Sequence, residues 1–359
     1  MDGEALNALL PVPASNLLHE KGLDTRITVD PWSISRCREF GIGKSRAKTL
    51  NSCISVESYQ ILLYYLYRPM EDSEGYLVEH TELCEALQLR GRILIADEGL
   101  NGTVSGRLDM TEAYMQALNT DPRTKGIQFK VDPAPGHAFP KLSIKRRNEV
   151  VTLDLGEDDF SPDETTGKHL SPVQWRNLMS EDDTILLDAR NQYEWELGHF
   201  EGALLPPVEN FRELPDWVRE NRSRLEGKKI MTYCTGGIRC EKFSGFLLRE
   251  GFSDVYQLDG GIVSYGKEAG VEGEGFSGKC YVFDERVAVE VNHTSGAKVV
   301  SLCQHCSGTS DRYVNCAWSR CNRQYFCCPT CDKDQRRFCS SVCAEAAILS
   351  LAAMGIGCD

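Results

Sequence analysis

The sequence has no long hydrophobic run. Because no stretch reaches the roughly 18 consecutive apolar residues that a membrane-spanning helix needs, we expect no membrane partner. The first residues lack a basic segment followed by an apolar core, so no secretory signal is predicted. Acidic residues there, including Asp2, Glu4 and Glu20, fit poorly with an organelle transit peptide. The expected location is the cytoplasm.

Motifs for common redox cofactors are also missing. We find no haem or flavin motif and no evident mononuclear iron site. Cysteine, in contrast, is abundant, with 16 residues among 359. Since disulfides are rare in the cytoplasm, these thiols are expected to bind metal or to take part in catalysis.

Basic residues are outnumbered, with 40 Lys and Arg against 53 Asp and Glu, and the formal net charge is −13. The imbalance is uneven, because residues 154–227 hold 18 acidic residues against 7 Lys and Arg. The remainder is close to neutral and contains basic clusters. A nucleic-acid partner would therefore contact a local basic patch rather than the whole surface.

The length of the chain indicates two or three domains. Residues 1–57 are weakly patterned and are interpreted as an N-terminal extension. Residues 58–153 show strands and amphipathic helices in the order β-α-β-β-α-β, which predicts a ferredoxin-like sandwich of the α+β class. Within it, Asn101 and Gly102 are predicted to form the turn between two strands. Residues 154–168 are polar and turn-rich and are interpreted as a linker.

Residues 169–280 alternate short apolar strands with helices. The strand candidates are TILLDAR, KKIMTYC and DVYQLDGG, and Ser171 followed by Pro172 is typical of a helix start. This pattern predicts an α/β domain in which helices cover both faces of a parallel sheet. Residues 281–359 are interpreted as a cysteine-rich, zinc-binding C-terminal module.

A cysteine lies where the central strand candidate ends, in the stretch MTYCTGGIRCEK. Cys234 precedes a predicted helix, in the position where parallel sheets bind ligands. The two glycines, Gly236 and Gly237, allow backbone N–H groups to turn inward as an anion nest. The helix N-terminus, the nest and Arg239 all favour a thiolate over a thiol. We therefore predict a nucleophilic or sulfur-carrying Cys234, with Thr235–Ile238 as the active-site loop.

The spacing of this loop separates two chemistries. Cysteine phosphatases use Cys-x5-Arg to cradle phosphate, whereas Cys234 and Arg239 give the shorter Cys-x4-Arg, which suits the outer sulfur of a persulfide. This shorter loop resembles that of the rhodanese family. LLDARNQYEWELGHFEGA resembles a second rhodanese signature, which implies that Asp188 and Arg190 brace the loop by charge-assisted hydrogen bonds. His199 and Glu201 are expected to order the following turn.

Five blocks in this order carry a narrower resemblance: GRILIADEGLNGTVSG, NFRELPDWV, CTGGIRCEK, LDGGIVSY and VFDERVAV. They resemble the tRNA uridine(34) hydroxylases, and the match runs from about Tyr59 to Cys343. The resemblance implies formation of 5-hydroxyuridine at the wobble position with molecular oxygen, and it places the family's essential cysteine on Cys234. Residues 1–57 show no counterpart. Thr235 stands where thiosulfate-using rhodaneses often carry a basic residue.

Basic and polar residues beside this site are candidates for RNA contact. Arg92, Asn101 and Thr103 belong to the first block and are expected to contact RNA or a neighbouring domain. The candidates for phosphate contact are Lys141, Lys145, Arg146, Arg147, Lys333, Arg336 and Arg337. A flipped wobble uridine, stacked on an aromatic ring, would offer its C5 atom to Cys234.

Cysteine pairs dominate the C-terminal module. The pairs are Cys303/Cys306, Cys316/Cys321, Cys328/Cys331 and Cys339/Cys343. Eight thiolates suit two tetrahedral Zn²⁺ sites, whose binding would supply the folding energy that a small apolar core cannot. Sequential and interleaved pairings both fit the spacing, and Cys327 is an alternative ligand to Cys328.

Three functions remain open at this point. The first is oxygen-dependent 5-hydroxylation of uridine 34, in which a Cys234 thiolate or persulfide adds to uridine C6, supported by a sulfur donor or reductant. The second is a sulfurtransferase that carries a persulfide on Cys234. The third is a scaffold that reads RNA through its zinc module. Cys240 either resolves an oxidised Cys234 or packs on its helix, and packing is favoured.

Overall fold

The computed structural model describes residues 58–353. The predicted N-terminal extension, residues 1–57, lies outside this range. Within the described part of the chain, every helix is too short or too polar to cross a membrane.

The first domain is a five-stranded sheet with two helices. In chain order its elements are β1 Tyr59–Tyr67, α1 Ser73–Ala86, β2 Arg90–Ala96, β3 Gly99–Arg107, α2 Leu108–Thr120, β4 Gln128–Ala134 and β5 Leu142–Arg146. The strand order is β4-β1-β3-β2-β5, with β5 parallel to β2 and the other neighbours antiparallel. The first four strands and two helices confirm the predicted ferredoxin-like order, and β5 extends the sheet at one edge.

The predicted turn at Asn101 and Gly102 is wrong. The chain turns at Asp97 and Glu98, and both predicted turn residues lie inside β3. Gly102 pairs with Tyr64 of β1, and a Cβ atom at position 102 would overlap the Tyr64 side chain. Glycine is needed here for close approach of a neighbouring side chain rather than for a turn.

The two faces of this sheet have different partners. Leu62, Tyr64 and Ile93 belong to the core that the sheet shares with α1 and α2. Because side chains alternate along a strand, Leu63 and Tyr65 point to the opposite face. That second face carries no helix of its own domain; it contacts the middle domain instead, as described below.

The middle domain contains a four-stranded parallel sheet of order β6-β10-β9-β7. The elements are β6 Lys168–Leu170, α3 Pro172–Leu178, β7 Thr184–Asp188, α4 Gln192–Trp195, β8 Gly198–Phe200, α5 Leu214–Glu220, α6 Arg222–Leu225, β9 Lys229–Tyr233, α7 Ile238–Arg249, β10 Val255–Leu258 and α8 Gly261–Lys267. A capping box at Ser171 starts α3, as predicted.

Adjacent residues of the central strand β9 enter two separate cores. Ile230 packs in a cluster with Phe243 of α7, and Met231 packs in a cluster with Trp175 of α3. The helices therefore cover both faces of the sheet, which confirms the predicted parallel α/β arrangement.

The chain then leaves this domain through a small antiparallel sheet. It consists of β8, β11 Phe276–Tyr281 and β12 Ala288–Glu290. The C-terminal module follows, with β13 Tyr313–Asn315, β14 Gln324–Phe326, α9 Pro329–Asp334 and α10 Ser341–Ala353. β13 and β14 form an antiparallel hairpin.

A buried lysine joins the first two domains. The Lys242 side chain on α7 is completely buried, and its Nζ lies 2.9 Å from Glu98, 3.1 Å from Glu149 and 2.9 Å from Asp159. Burial alone would lower the pKa of Lys242, but the surrounding carboxylates raise it. Because a buried charge without its partners is costly, this cluster fixes the turn after β2 and the segment after β5 against α7.

Candidate active site

Cys234 lies at the end of β9 and is fully buried in the protein. The Gly237 N–H donates a hydrogen bond to the Cys234 Sγ at 3.2 Å. On the other side of the loop, the first turn of α8 donates from Ile262 N to the Cys234 carbonyl at 3.0 Å and from Val263 N to the Thr235 carbonyl at 3.1 Å. These bonds hold the carbonyls outward, so the predicted loop presents its N–H groups to the sulfur.

Two glycines let the first domain contact this loop closely. Gly237 has a φ of +102°, which favours glycine, and a Cβ there would lie 2.9 Å from the Tyr65 hydroxyl. A Cβ at Gly236 would lie 3.0 Å from Leu63. The helix-free face of the first sheet therefore packs directly on the predicted active-site loop.

The loop arginine is held by a carboxylate that the sequence analysis missed. Arg239 donates from both terminal nitrogens to Glu194, at 2.6 and 2.8 Å, and both side chains are buried. Burial opposes ionisation of Glu194, but Arg239 keeps the pKa of that carboxyl below its usual value. The Asn191 N–H donates to the same carboxylate at 3.2 Å, but nothing local in the sequence ties Glu194 to an arginine 45 residues later.

The predicted bracing pair has other partners. Asp188 and Arg190 bond to one another at 2.6 and 2.9 Å, and Arg190 also donates to the Gly198 carbonyl at 2.7 Å. This corrects the expectation that they hydrogen-bond the loop, a role that falls to Glu194. Their contact toward the site is the Tyr233 ring, whose centroid lies 5.7 Å from the Arg190 guanidinium carbon.

His199 and Glu201 form hydrogen bonds that order the turn around β8. His199 Nδ1 is 2.8 Å from the Trp195 carbonyl, and Glu201 accepts a hydrogen bond from the Ser277 hydroxyl at 2.8 Å. These bonds attach β8 to the helix before it and to β11.

The environment of Cys234 favours the thiolate. Burial alone would raise its pKa, but the hydrogen bond with the Cys240 thiol, the charge of Arg239 and the N–H groups of Cys240 and Gly237 lower the pKa to about 5. The pKa of Cys240 moves the other way, because burial and the neighbouring Cys234 both raise it. Cys240 also packs in the core beside Phe243, in line with the favoured packing role.

The lowered pKa of Cys234 predicts how its ionisation depends on pH. Because the pKa of Cys234 lies below the roughly 8.5 of an ordinary cysteine, the thiolate persists at neutral pH and disappears as pH falls through about 5. We expect the ultraviolet absorbance of the wild type minus that of a Cys234→Ala variant to titrate with a midpoint near pH 5. The same difference for Cys84→Ala, whose pKa burial raises, should show no such step. A Cys234 midpoint near 8.5 would contradict the assignment.

Cys234 opens onto a cavity of about 560 Å³ between the two domains, a volume typical of small-ligand sites. We call it the Cys234 cavity. Its lining residues come from the first sheet, the segment after β5, the segment before α5, the loop and the segment between β11 and β12: Leu63, Tyr65, Arg92, Leu94, Asn101, Thr103, Val150, Val151, Thr152, Asn210, Phe211, Arg212, Cys234, Thr235, Gly236, Ile238, Arg239 and Phe283. The lining holds Arg92 and Arg212 besides the Cys234 thiolate and the Glu194-paired Arg239, so positive charge is available for an anionic group of a ligand.

The structure brings one predicted set of RNA-contact residues to the cysteine. Arg92, Asn101 and Thr103 project from β2 and β3 into the Cys234 cavity. The sequence separates Arg92 from Cys234 by more than a hundred residues, and the domain packing places them on opposite walls of one site.

The other basic candidates divide by sheet face. Lys145 pairs with Leu94, so it is exposed on the sheet face that borders the cavity. Arg146 points to the other face, where it donates to Asp97 at 2.9 Å and to Ser73 at 2.8 Å. Lys141 and Arg147 are exposed outside the residues that line the cavity. Only Lys145 of these four is therefore well placed for RNA at the site.

A lysine of the first domain also reaches the loop. Lys130 Nζ donates to the Gly236 carbonyl at 2.9 Å and lies 5.0 Å from the Tyr65 ring centroid. Tyr65 in turn donates to Glu241 of α7 at 2.9 Å. Alternation along the strand IQFKVDP predicts that Lys130 and the apolar Phe129 point to different faces of the sheet. It does not predict the contact with the Cys234 loop, which is distant in sequence.

The cysteine-rich module contains two clusters that could hold metal ions. One is Cys303, Cys306, Cys328 and Cys331, and the other is Cys316, Cys321, Cys339 and Cys343; within each, the sulfur atoms lie within 4.8 Å of one another. The pairing is therefore interleaved. The sulfur–sulfur distances are 3.8 Å for Cys306–Cys328, 3.8 Å for Cys321–Cys339 and 3.4 Å for Cys339–Cys343.

The odd cysteine takes no part in these clusters. Cys328, rather than Cys327, completes the first cluster. Cys327 is buried and its thiol donates to the Cys328 carbonyl at 3.6 Å, which removes it as the alternative ligand. Lys333 near the end of α9 and Arg336 and Arg337 after it are all exposed, as a basic edge requires, and Arg337 donates to Asp332 at 3.2 Å.

Comparisons with known proteins match all three regions. The UPF0176 acylphosphatase-like domain matches residues 59–150, the rhodanese-like domain matches residues 171–268, and the rhodanese C-terminal domain matches residues 277–344. A tRNA uridine(34) hydroxylase of Bacillus cereus (strain AH820) is 53% identical over 290 residues, which cover 80% of this chain and 90% of the relative. One of Shouchella clausii (strain KSM-K16) is 52% identical over 287 residues, covering 80% and 89%. The chain belongs to the tRNA uridine(34) hydroxylase family.

Proposed function

We propose that this chain hydroxylates C5 of the uridine at position 34 of tRNA, with Cys234 as the reactive group. The observation that carries this proposal is that Cys234, whose sulfur is stabilised as a thiolate, belongs to the residues lining a base-sized cavity between two domains. The names of the relatives support the hydroxylase function over the sulfurtransferase alternative. Since the substrate is tRNA, we place the reaction in the cytoplasm.

The cavity suits a uracil base flipped out of the anticodon loop. Its volume of about 560 Å³ accommodates a nucleoside, and flipping exposes the base edge for hydrogen bonding. Asn101 and Thr103 on the sheet wall offer an amide and a hydroxyl to the uracil oxygens and N3–H. Arg92 and Arg212 supply positive charge for the adjoining phosphates, with Lys145 on the same face of the sheet.

The thiolate provides the first chemical step. Cys234 Sγ forms a bond to uridine C6, and the electron pair of the C5–C6 double bond moves onto C5 and the C4 carbonyl oxygen. The nest of N–H groups and Arg239 keep the sulfur ionised until that bond forms. Arg239 is itself fixed by Glu194, so the cation does not need to reorganise during the reaction.

Oxygen transfer and release complete the cycle. The electron-rich C5 takes one oxygen atom from molecular oxygen, and the second atom leaves as water after gaining two electrons and two protons from a thiol-class reductant. Loss of the remaining C5 proton restores the double bond and expels Cys234 as thiolate. The products are 5-hydroxyuridine, water and the disulfide of the reductant, with the enzyme regenerated.

The two cysteine clusters are proposed to bind Zn²⁺ in a structural role. Each offers four thiolates, a closed tetrahedral set that leaves no position for substrate. We assign them to folding of the C-terminal module, and no step of the hydroxylation passes through them.

Nucleoside analysis of tRNA tests the function. Cells that lack this chain should have lost 5-hydroxyuridine at position 34, and re-expression should restore it. With purified protein, tRNA, a thiol reductant and isotopically labelled molecular oxygen, the new hydroxyl should carry the label. Undiminished 5-hydroxyuridine in the deletion strain would refute the proposal, and label arriving from water instead would refute the oxygen step.

A sulfurtransferase assay distinguishes the hydroxylase function from the sulfurtransferase alternative. We expect at most slow transfer of sulfur from thiosulfate to a thiol, because Thr235 rather than a basic residue follows the cysteine. Robust turnover in this assay, together with unchanged tRNA in the deletion strain, would favour a sulfurtransferase that takes its sulfur from an external donor.

A further inference from the structure

A second groove lies next to the Cys234 cavity, where the middle domain meets the C-terminal module. We call it the tyrosine groove; its volume is about 470 Å³, within the ~300–1,000 Å³ range of ligand pockets. It is lined by Tyr193, Tyr281, Phe283, Tyr313, Asn315, Asn322 and Gln324. The hydroxylation proposed above does not use this groove.

The aromatic rings of the groove are arranged edge to face around one tyrosine. Tyr281 contacts Tyr193, Phe283 and Tyr313 with ring centroids 5.2, 5.2 and 6.0 Å apart and interplanar angles of 78°, 78° and 86°. Phe283 is 43% exposed, although large apolar side chains are usually buried unless they contact a ligand or partner.

Phe283 connects the two sites. It lines both the tyrosine groove and the Cys234 cavity, and its ring centroid lies 6.0 Å from the Arg239 guanidinium carbon. A polymeric ligand that places one group in the Cys234 cavity and extends past Phe283 would therefore place its next group in the tyrosine groove.

The polar lining is uncharged and consists of amides and hydroxyls. Tyr281 donates to the Gln324 Oε1 at 3.2 Å, and Asn315 donates to the Asn322 Oδ1 at 3.1 Å, so the β13–β14 hairpin holds these groups in place. Aromatic faces combined with amides match the faces and edges of nucleobases, which single-stranded RNA presents for stacking and hydrogen bonding.

We infer that the tyrosine groove binds the nucleobase adjacent to the target uridine, stacked on Phe283 and contacted by the hairpin amides. This inference rests on the proposed function, because only a single-stranded RNA with its uridine in the Cys234 cavity places the neighbouring base there. The C-terminal module would thereby contribute to recognition of the anticodon, through one face of its β-hairpin.

The test uses an anticodon stem-loop RNA that carries the fluorescent base 2-aminopurine immediately 5′ or immediately 3′ of the uridine. Stacking on an aromatic ring should quench the fluorescence of one of the two probes when the full-length protein binds. Phe283→Ala, which removes the stacking ring, should abolish the quenching and weaken RNA affinity about tenfold. Tyr313→Leu, which keeps an apolar side chain against Phe326 but removes a ring of the groove, should weaken both effects less.

Conservative variants separate stacking from folding. Tyr313→Phe and Phe283→Tyr retain the rings, so both should keep the quenching and wild-type affinity. If Phe283→Ala leaves RNA affinity and quenching unchanged, the neighbouring base does not stack in the groove and the inference is wrong.

Failure of the inference is distinguishable from failure of the proposed function. Absence of quenching at both positions, in a protein that forms 5-hydroxyuridine in the same RNA, overturns the inference alone. A wild-type protein that neither binds the RNA nor modifies tRNA overturns the proposed function, and the inference with it.

Discussion

Replacing Cys234 with alanine should abolish formation of 5-hydroxyuridine at position 34 of tRNA. The proposed reaction begins with a bond from this sulfur to uridine C6, and no neighbouring group can take its place, since the pKa of Cys240 is raised well above that of an ordinary thiol. Loss of a covalent nucleophile lowers turnover by at least about a thousandfold. Mass spectrometry of nucleosides from tRNA treated with the purified variant measures the effect.

Cys84→Ala is the matched control. Cys84 is also a buried, unpaired cysteine, but it lies in the core of the first domain, far from the Cys234 cavity. The control should keep nearly wild-type activity, and both variants should unfold at similar denaturant concentrations. A Cys234→Ala protein that still forms 5-hydroxyuridine would rule out the covalent mechanism, while leaving room for cavity binding of tRNA.

Local features of the site were predictable because their causes are local. The loop is defined by a strand that ends at a cysteine, followed by two glycines and an arginine. These features are close together in the sequence and do not depend on what packs around them. The structure has this loop at Cys234–Arg239, with the Gly237 N–H directed at the sulfur. The helix start at Ser171 was predictable for the same reason, because the capping residue and the proline lie within four residues of each other.

Long-range partners were not predictable in this way. Glu194, Lys130 and Phe283 come from three different elements, and each meets the loop only through tertiary packing. The interleaved pairing of the cysteines has the same origin, because every pair has a spacing that suits a zinc site and only the fold chooses between them.

The misplaced turn at Asn101 and Gly102 illustrates a competing cause. Asn-Gly is a strong turn signal when no neighbour intervenes. Here a glycine is required opposite Tyr64, and the asparagine beside it faces the Cys234 cavity. A residue pair that serves packing and the site can therefore imitate a turn in the sequence.

Cys328→Ser should remove one of two bound zinc ions and unfold a large part of the C-terminal module. Cys328 lies at the start of α9, and its cluster links this helix to the turn that carries Cys303. A structural zinc site supplies about 10–16 kcal/mol in small domains, more than this module's few buried apolar residues can replace. Metal analysis should give two zinc ions per wild-type chain and one per variant, and limited proteolysis should cleave the variant faster within residues 303–343.

Cys327→Ser provides the sharpest control, because it makes the same change one residue earlier. Cys327 is buried but lies outside both clusters, so its variant should retain two zinc ions and lose only the modest stability of a buried thiol. If Cys327→Ser loses zinc and Cys328→Ser does not, the ligand assignment is wrong. If both retain two ions, Cys328 is not a required ligand, and the assignment of the first cluster is wrong.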